Sequence, residues 1–188
     1  MNSYNKVLDF AGEHKKYVEK ISSLTELKNK TILDVGGGSG LVAHYLAEHN
    51  PKEITVLDPS QDMLDKIETN CTRVCSSFQD FISKKKYDIV VCIDSLHHLS
   101  EGFSKQEGRE EVKKGLKKIL TLAKERVIII DPNIYTLKGK WIDIQENYLL
   151  RINAEFLVEK DYNELLKDYS FNLEKWRHYY VVVVDLKK

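Results

Sequence analysis

Short β-branched runs alternate with helix-period stretches along most of this chain, and that rhythm leaves few folds open. The runs are TILDV (31–35), ITVL (54–57), TRVC (72–75), YDIVVCI (87–93) and RVIII (126–130). They lack strict alternation, which reads as strands buried on both faces. Between them, Leu41, Val42, Tyr45 and Leu46, then Met63, Leu64 and Ile67, then Val112, Leu116, Ile119 and Leu120 recur at helical spacing. Right-handed crossovers and a mostly parallel sheet with helices on both faces follow. Near the end the rhythm breaks. FNLEKWRH (171–178) and YYVVVVDL (179–186) have no helix-length segment between them, so they are expected to pair antiparallel.

Two helical additions flank this core. One is a stripe of Val7, Leu8, Ala11, Tyr17, Val18 and Ile21 ahead of the first strand, and the other lies within 137–157. The 188 residues are 42% hydrophobic and 31% charged with three prolines, a globular mixture of one domain's size without repeat or linker. Twenty-nine basic residues balance twenty-nine acidic ones, which argues against a nucleic-acid partner and for a small molecule. The lysines at 84–86 and 113–118 read as solvated faces. The longest apolar run, Tyr179 to Val184, is far short of the roughly 20 residues that cross a bilayer. With no signal-peptide pattern in MNSYNKVLDF, a cytoplasmic location without membrane contact is expected. Cys71, Cys75 and Cys92 lack paired spacing and read as reduced thiols.

The chemistry concentrates after the strands. DVGGGSG (34–40) follows one strand and precedes a helix, so Gly36, Gly38 and Gly40 let the backbone approach a ligand across the sheet's carboxyl edge. Asp58 ends the second strand, where a carboxylate can accept from both hydroxyls of a ribose. Alone, it would equally serve as a turn residue before Pro59. The loop loosely satisfies a GxGxxA dinucleotide pattern through Gly38, Gly40 and Ala43, which keeps an NAD-dependent oxidoreductase in view. The GxxxxGK[ST] phosphate loop is absent.

Taken in order, DVGGGSG, LDPSQDMLDKIE (57–68) and YDIVVCIDSLHHL (87–99) resemble the class I S-adenosylmethionine-dependent methyltransferases of the small-molecule type. The resemblance runs from about Thr31 to the carboxyl terminus. It implies an α/β fold, a doubly wound seven-stranded sheet with the last strand antiparallel, and S-adenosylmethionine as cofactor. Asp34, Gly36, Gly38 and Gly40 are then implied to hold its methionine portion and Asp58 its ribose, with Pro59 and Met63 flanking the adenine. Where such enzymes often carry an acid after the third strand, this chain has CSSFQDF, so Ser77 and Phe78, or Asp80, are implied at the adenine edge.

In this fold the loop after the fourth strand faces the transferred methyl, which places Asp94 on the cofactor side and His97 and His98 as candidate general bases. The [N/D]PP[Y/F] loop of enzymes that methylate base amino groups and glutamine amides is not present here. Tyr135, Trp141, Ile142 and Tyr148 are candidates to cover an apolar acceptor. Asp94, Asp131 and Asn133 would suit magnesium if they converged, but Pro132 separates the last two, so no metal is expected. The division expected is a single domain with an N-terminal helical lid (1–30), a cofactor-binding half (31–133), a helical acceptor-side segment (134–157) and a C-terminal helix and strand pair (158–188). The function implied is methyl transfer to a small-molecule acceptor. A cofactor-binding module acting through a partner protein is the alternative.

Overall fold

The apolar runs form the centre of one sheet in a computed structural model that describes Asn5, Asp9, residues 12–149 and 153–187. In chain order come α1 (Glu13–Leu24), β1 (Thr31–Val35), α2 (Leu41–Ala47), β2 (Glu53–Asp58), α3 (Gln61–Leu64), β3 (Thr72–Cys75) and β4 (Tyr87–Ile93). A 3-10 turn (Leu96–Ser100) follows, then α4 (Lys105–Leu122), β5 (Ala123–Pro132), α5 (Leu137–Ile144), a π-helical turn (Gln145–Leu149), α6 (Glu159–Leu165), β6 (Ser170–Trp176) and β7 (Tyr179–Asp185). The strand order is β3-β2-β1-β4-β5-β7-β6. β1 to β5 run parallel, and β7 lies antiparallel between β5 and β6. This is the expected seven-stranded methyltransferase-type fold.

Two apolar layers follow from residues alternating across the sheet. Leu33, Val90, Val127 and Val182 pack under Val112, Leu116 and Ile119 of α4 and Tyr162 of α6. On the opposite face Ile32, Val91, Ile128 and Val181 pack under Tyr17, Val18 and Ile21 of α1 and Val42, Ala43 and Leu46 of α2. The strands switch direction of crossover between β1 and β4, which opens a crevice at their carboxyl ends, where such sheets bind ligands.

Two expectations need correction, and a third falls partly outside the described residues. The Met63, Leu64 and Ile67 pattern gives only the one-turn α3, whose Ser60 cap accepts from Met63 N at 3.3 Å. The segment over 137–157 is not one helix: it passes into a π turn at Gln145, and residues 153–158 are not helical. In the expected lid only α1 is described, so Val7, Leu8 and Ala11 lie outside the described residues.

Asp88 ties β4 to the start of β1. Its Oδ2 accepts from Thr31 N and Thr31 Oγ1, both at 2.8 Å, and its Oδ1 accepts from Lys124 Nζ at 3.1 Å. Burial pushes this carboxyl up, but the Thr31 and Lys124 donors outweigh it and bring the pKa down to about 2. A depressed carboxylate stabilises the fold above its unfolded pKa of about 4 and ceases to as pH falls through its folded value. Asp88→Asn is therefore expected to cost about 1–2 kcal/mol in denaturant unfolding at pH 7. The gap from the unsubstituted protein should narrow between about pH 4 and pH 2. A gap independent of pH would assign the effect to lost geometry instead of charge.

Candidate active site

The crevice has two lobes that share Gly36. The smaller, about 180 Å³, is lined by Asp34, Gly37, Gly38, Met63 and Asp94, with His14 and Tyr17 of α1 over it. The larger, about 270 Å³, is lined by Asp58, Pro59, Ser77, Phe78, Ser95 and His98 among others. Asp58 joins the lobes chemically: its Oδ2 accepts from Gly38 N and its Oδ1 from Ser60 N, both at 2.9 Å. The glycine loop is thus pinned to the end of β2 by the same carboxylate that was expected to bind a ribose.

Two glycines of the loop differ in what a side chain would meet. At Gly36 a Cβ would sit 2.6 Å from Ser95 Cβ, because Ser95 Oγ reaches across to donate to Val35 O at 2.8 Å. Gly38 has φ +51, and a Cβ there would meet only Met63 Cε, at 3.7 Å, so the space above it is open. Asp34 is buried against Gly37, where a Cβ would sit 2.5 Å from its Oδ2, and that oxygen has no hydrogen-bond partner. Burial, helped by the Asp58 charge, pushes its carboxyl up to about 7. A buried carboxylate oxygen left without a donor is costly, and a cationic or N–H-bearing ligand would relieve it.

Not every expected residue lines the crevice. Gly40 is the residue before α2 and lies under Ile67, whose Cγ1 would be 2.9 Å from a Cβ there. Pro59 and Met63, expected together, line different lobes. Ser77 and Phe78 both line the larger lobe, while Asp80 turns aside to accept from Ser77 Oγ at 2.7 Å. Tyr135, Trp141 and Tyr148 are 67%, 60% and 77% exposed, and neither they nor Ile142 line either lobe of the crevice.

The two adjacent histidines differ in burial because a 3-10 turn rotates successive side chains by about 120°, although their rings stay in contact with centroids 4.2 Å apart. His97 is fully buried, stacked on Phe156 with ring centroids 4.5 Å apart. Its Nδ1 lies 2.9 Å from Asp131 Oδ1, and its Nε2 lies 3.3 Å from Glu146 Oε2. Burial by itself would lower this imidazole, but the two carboxylates outweigh it and hold the ring as an imidazolium, pushed up to about 10. His98, partly exposed, lines the larger lobe, with Nδ1 2.6 Å from Glu101 Oε1. The alternative magnesium set is spent elsewhere. Asp131 holds His97, and Asn133 Oδ1 accepts from Tyr135 N at 3.1 Å.

Ser95, expected with the histidines nearest the reaction, does line the larger lobe. Sequence reasoning missed Tyr17, Glu101 and Glu146, of which Glu101 flanks the histidine pair closely enough to have been weighed with it. Tyr17 was read as lid only, yet its hydroxyl bonds the Tyr179 hydroxyl of β7 and it lines the smaller lobe. For Glu146 no signal existed, since the π turn changes which side chains of 145–149 face inward.

A family profile described as "Methyltransferase domain" matches residues 33–128, the span from β1 into β5 that builds this crevice. The chain belongs to that family. Its fold is that of class I S-adenosylmethionine-dependent methyltransferases. Among curated proteins, a ubiquinone biosynthesis O-methyltransferase of Hydrogenovibrio crunogenus is 31% identical over 93 residues, 45% of this methyltransferase and 38% of that protein. The ribosomal RNA small subunit methyltransferase A of Pelagibacter ubique is 37% identical over 46 residues, 24% of this chain and 18% of that one. These matches span well under half the length of the relatives. Among solved structures, the plantazolicin methyltransferase BpumL with SAH is similar at TM-score 0.72 and 15% identity, over 98% of this chain and 88% of that one. Magnesium protoporphyrin IX methyltransferase from Synechocystis with bound SAM is similar at TM-score 0.63 and 17% identity, over 98% and 84%. At such identities they speak to the fold. Among the described residues no helix is long and apolar enough to cross a membrane.

Proposed function

We propose that this methyltransferase moves the methyl group of S-adenosylmethionine to a hydroxyl oxygen of a small-molecule acceptor. The observation that carries the cofactor reading is the buried, unpartnered Asp34 Oδ2 against Gly37, in the same lobe that Gly38 leaves open. Asp34, Gly36 and Gly38 would hold the methionine portion, Asp58 the ribose hydroxyls, and Pro59, Ser77 and Phe78 the adenine, with Met63 and Asp94 closing the smaller lobe. When bound, the cofactor supplies a methyl on a cationic sulfonium, an already activated electrophile.

The chain's own work is then to align the acceptor and to help its proton leave. His98 has the position for this, in the cleft and held by Glu101, whereas His97 in this structure has both ring nitrogens facing carboxylates and no access to the cleft. His97 therefore positions the turn that carries His98. Support for an oxygen acceptor comes from relatives named as ubiquinone biosynthesis O-methyltransferases. The balanced charge of the chain and the absence of an [N/D]PP[Y/F] loop weigh against a nucleic-acid base.

The test is incubation with methyl-labelled S-adenosylmethionine and a fractionated metabolite pool, with products identified by mass spectrometry. Label should appear on oxygen in a small molecule. Label appearing only in RNA or protein would overturn the acceptor assignment.

A further inference from the structure

We propose that His97, His98 and Glu146 bind one divalent transition-metal cation of the zinc class, which presents its open position to a hydroxyl of the acceptor. The three side chains put one ligand atom each within 4.8 Å of one another, the only such trio of His, Cys, Asp and Glu among the described residues. His97 Nε2 and Glu146 Oε2 face each other at 3.3 Å. Both atoms are buried and, apart from facing each other, neither has a hydrogen-bond partner. Zinc sits roughly 2.0–2.2 Å from imidazole nitrogen and carboxylate oxygen, so two ligands at the tetrahedral angle lie roughly 3.3 Å apart.

The surroundings support the same ligand. His97 Nδ1 is held by Asp131 Oδ1 at 2.9 Å, the outer carboxylate that fixes the ring orientation and tautomer of a metal-binding imidazole. Asp131, Glu146 and Glu101 bring three carboxylates to two imidazoles, an excess of negative charge that a dication balances, taking the place of the proton on His97 Nε2. Two imidazoles and one carboxylate suit zinc or a similar transition ion better than magnesium, which takes mainly oxygen. This set is distinct from Asp94, Asp131 and Asn133: Asp131 orients a ligand here and is not one itself.

Three protein ligands leave a fourth position open. Of the three ligands only His98 lines the larger lobe, and the fourth position is placed on its side. With the ion bound, His98 is a ligand and no longer the base, and a hydroxyl at the fourth position loses its proton more readily: the O–H bond breaks, the electron pair stays on oxygen and the proton passes to bulk water. The ligand set stands on geometry alone, whereas the acceptor's place at the metal rests on the methyl-transfer reading.

The full chain, freed of metal with a chelator, is to be titrated with zinc chloride by calorimetry and with cobalt(II) by visible absorption. One cation per chain is expected, with a cobalt spectrum of nitrogen and oxygen ligation. Glu146→Gln and His98→Gln should each weaken binding at least 10-fold, and Asp131→Asn by roughly 10-fold. These variants avoid depending on His97, whose replacement threatens folding. No zinc binding, wild-type affinity in both ligand variants, or a thiolate-to-cobalt band from the cysteines would reject the site. A parallel titration with S-adenosylmethionine separates the two claims. Cofactor bound without zinc rejects the metal site alone, and zinc bound without cofactor rejects the methyl-transfer reading alone.

Discussion

Gly38→Val is expected to abolish S-adenosylmethionine binding while the protein still unfolds cooperatively. The valine side chain would fill the open space above the loop, where only Met63 Cε comes within reach of a Cβ. It would also strain a residue at φ +51, at a cost of roughly 1–2 kcal/mol in stability, too little to account for lost binding. Asp58→Ala addresses the same cradle from the other side. It removes the acceptor of the Gly38 and Ser60 N–H groups and the expected ribose contact, and should weaken binding by about 1.5–3 kcal/mol. Calorimetry reads both affinities and circular dichroism the fold. Unchanged affinity in Gly38→Val would move the cofactor elsewhere.

His98→Ala is expected to lower turnover roughly 100-fold or more with cofactor affinity nearly unchanged, since the ring faces the acceptor side of the cleft. The His97→Ala outcome differs in kind. Removing a buried imidazole that faces Asp131 and Glu146 leaves two carboxylates without their partner, which costs roughly 3–5 kcal/mol of stability. Steady-state kinetics beside unfolding curves distinguish the two roles. Full activity in a folded His97→Ala/His98→Ala double variant would leave alignment as the only device the protein uses.

The sheet was legible because its strands are bounded apolar runs. β1, β3 and β4 match the runs TILDV, TRVC and YDIVVCI residue for residue. β5 begins three residues before its apolar run, at Ala123, which pairs with Tyr87 across a register irregularity, and Lys124 and Glu125 in between bring no apolar side chain to announce it. The glycine loop and Asp58 were legible as well, since a βα turn that must approach a ligand restricts residue type at known offsets. What escaped depends on rotation about helix axes. A 3-10 turn sends His97 inward and His98 to the cleft, and a π turn brings Glu146 onto His97, and neither phase is written in local composition. The outward-facing Trp141 and Tyr148 escaped for the same reason.

Calorimetric titration of the unsubstituted chain with S-adenosylmethionine, beside an identical titration with NAD, tests the central claim most directly. One S-adenosylmethionine site per chain is expected, with NAD binding far more weakly. No heat with S-adenosylmethionine, or tighter binding of NAD, would contradict the assignment of the crevice beneath Gly38 and Asp58.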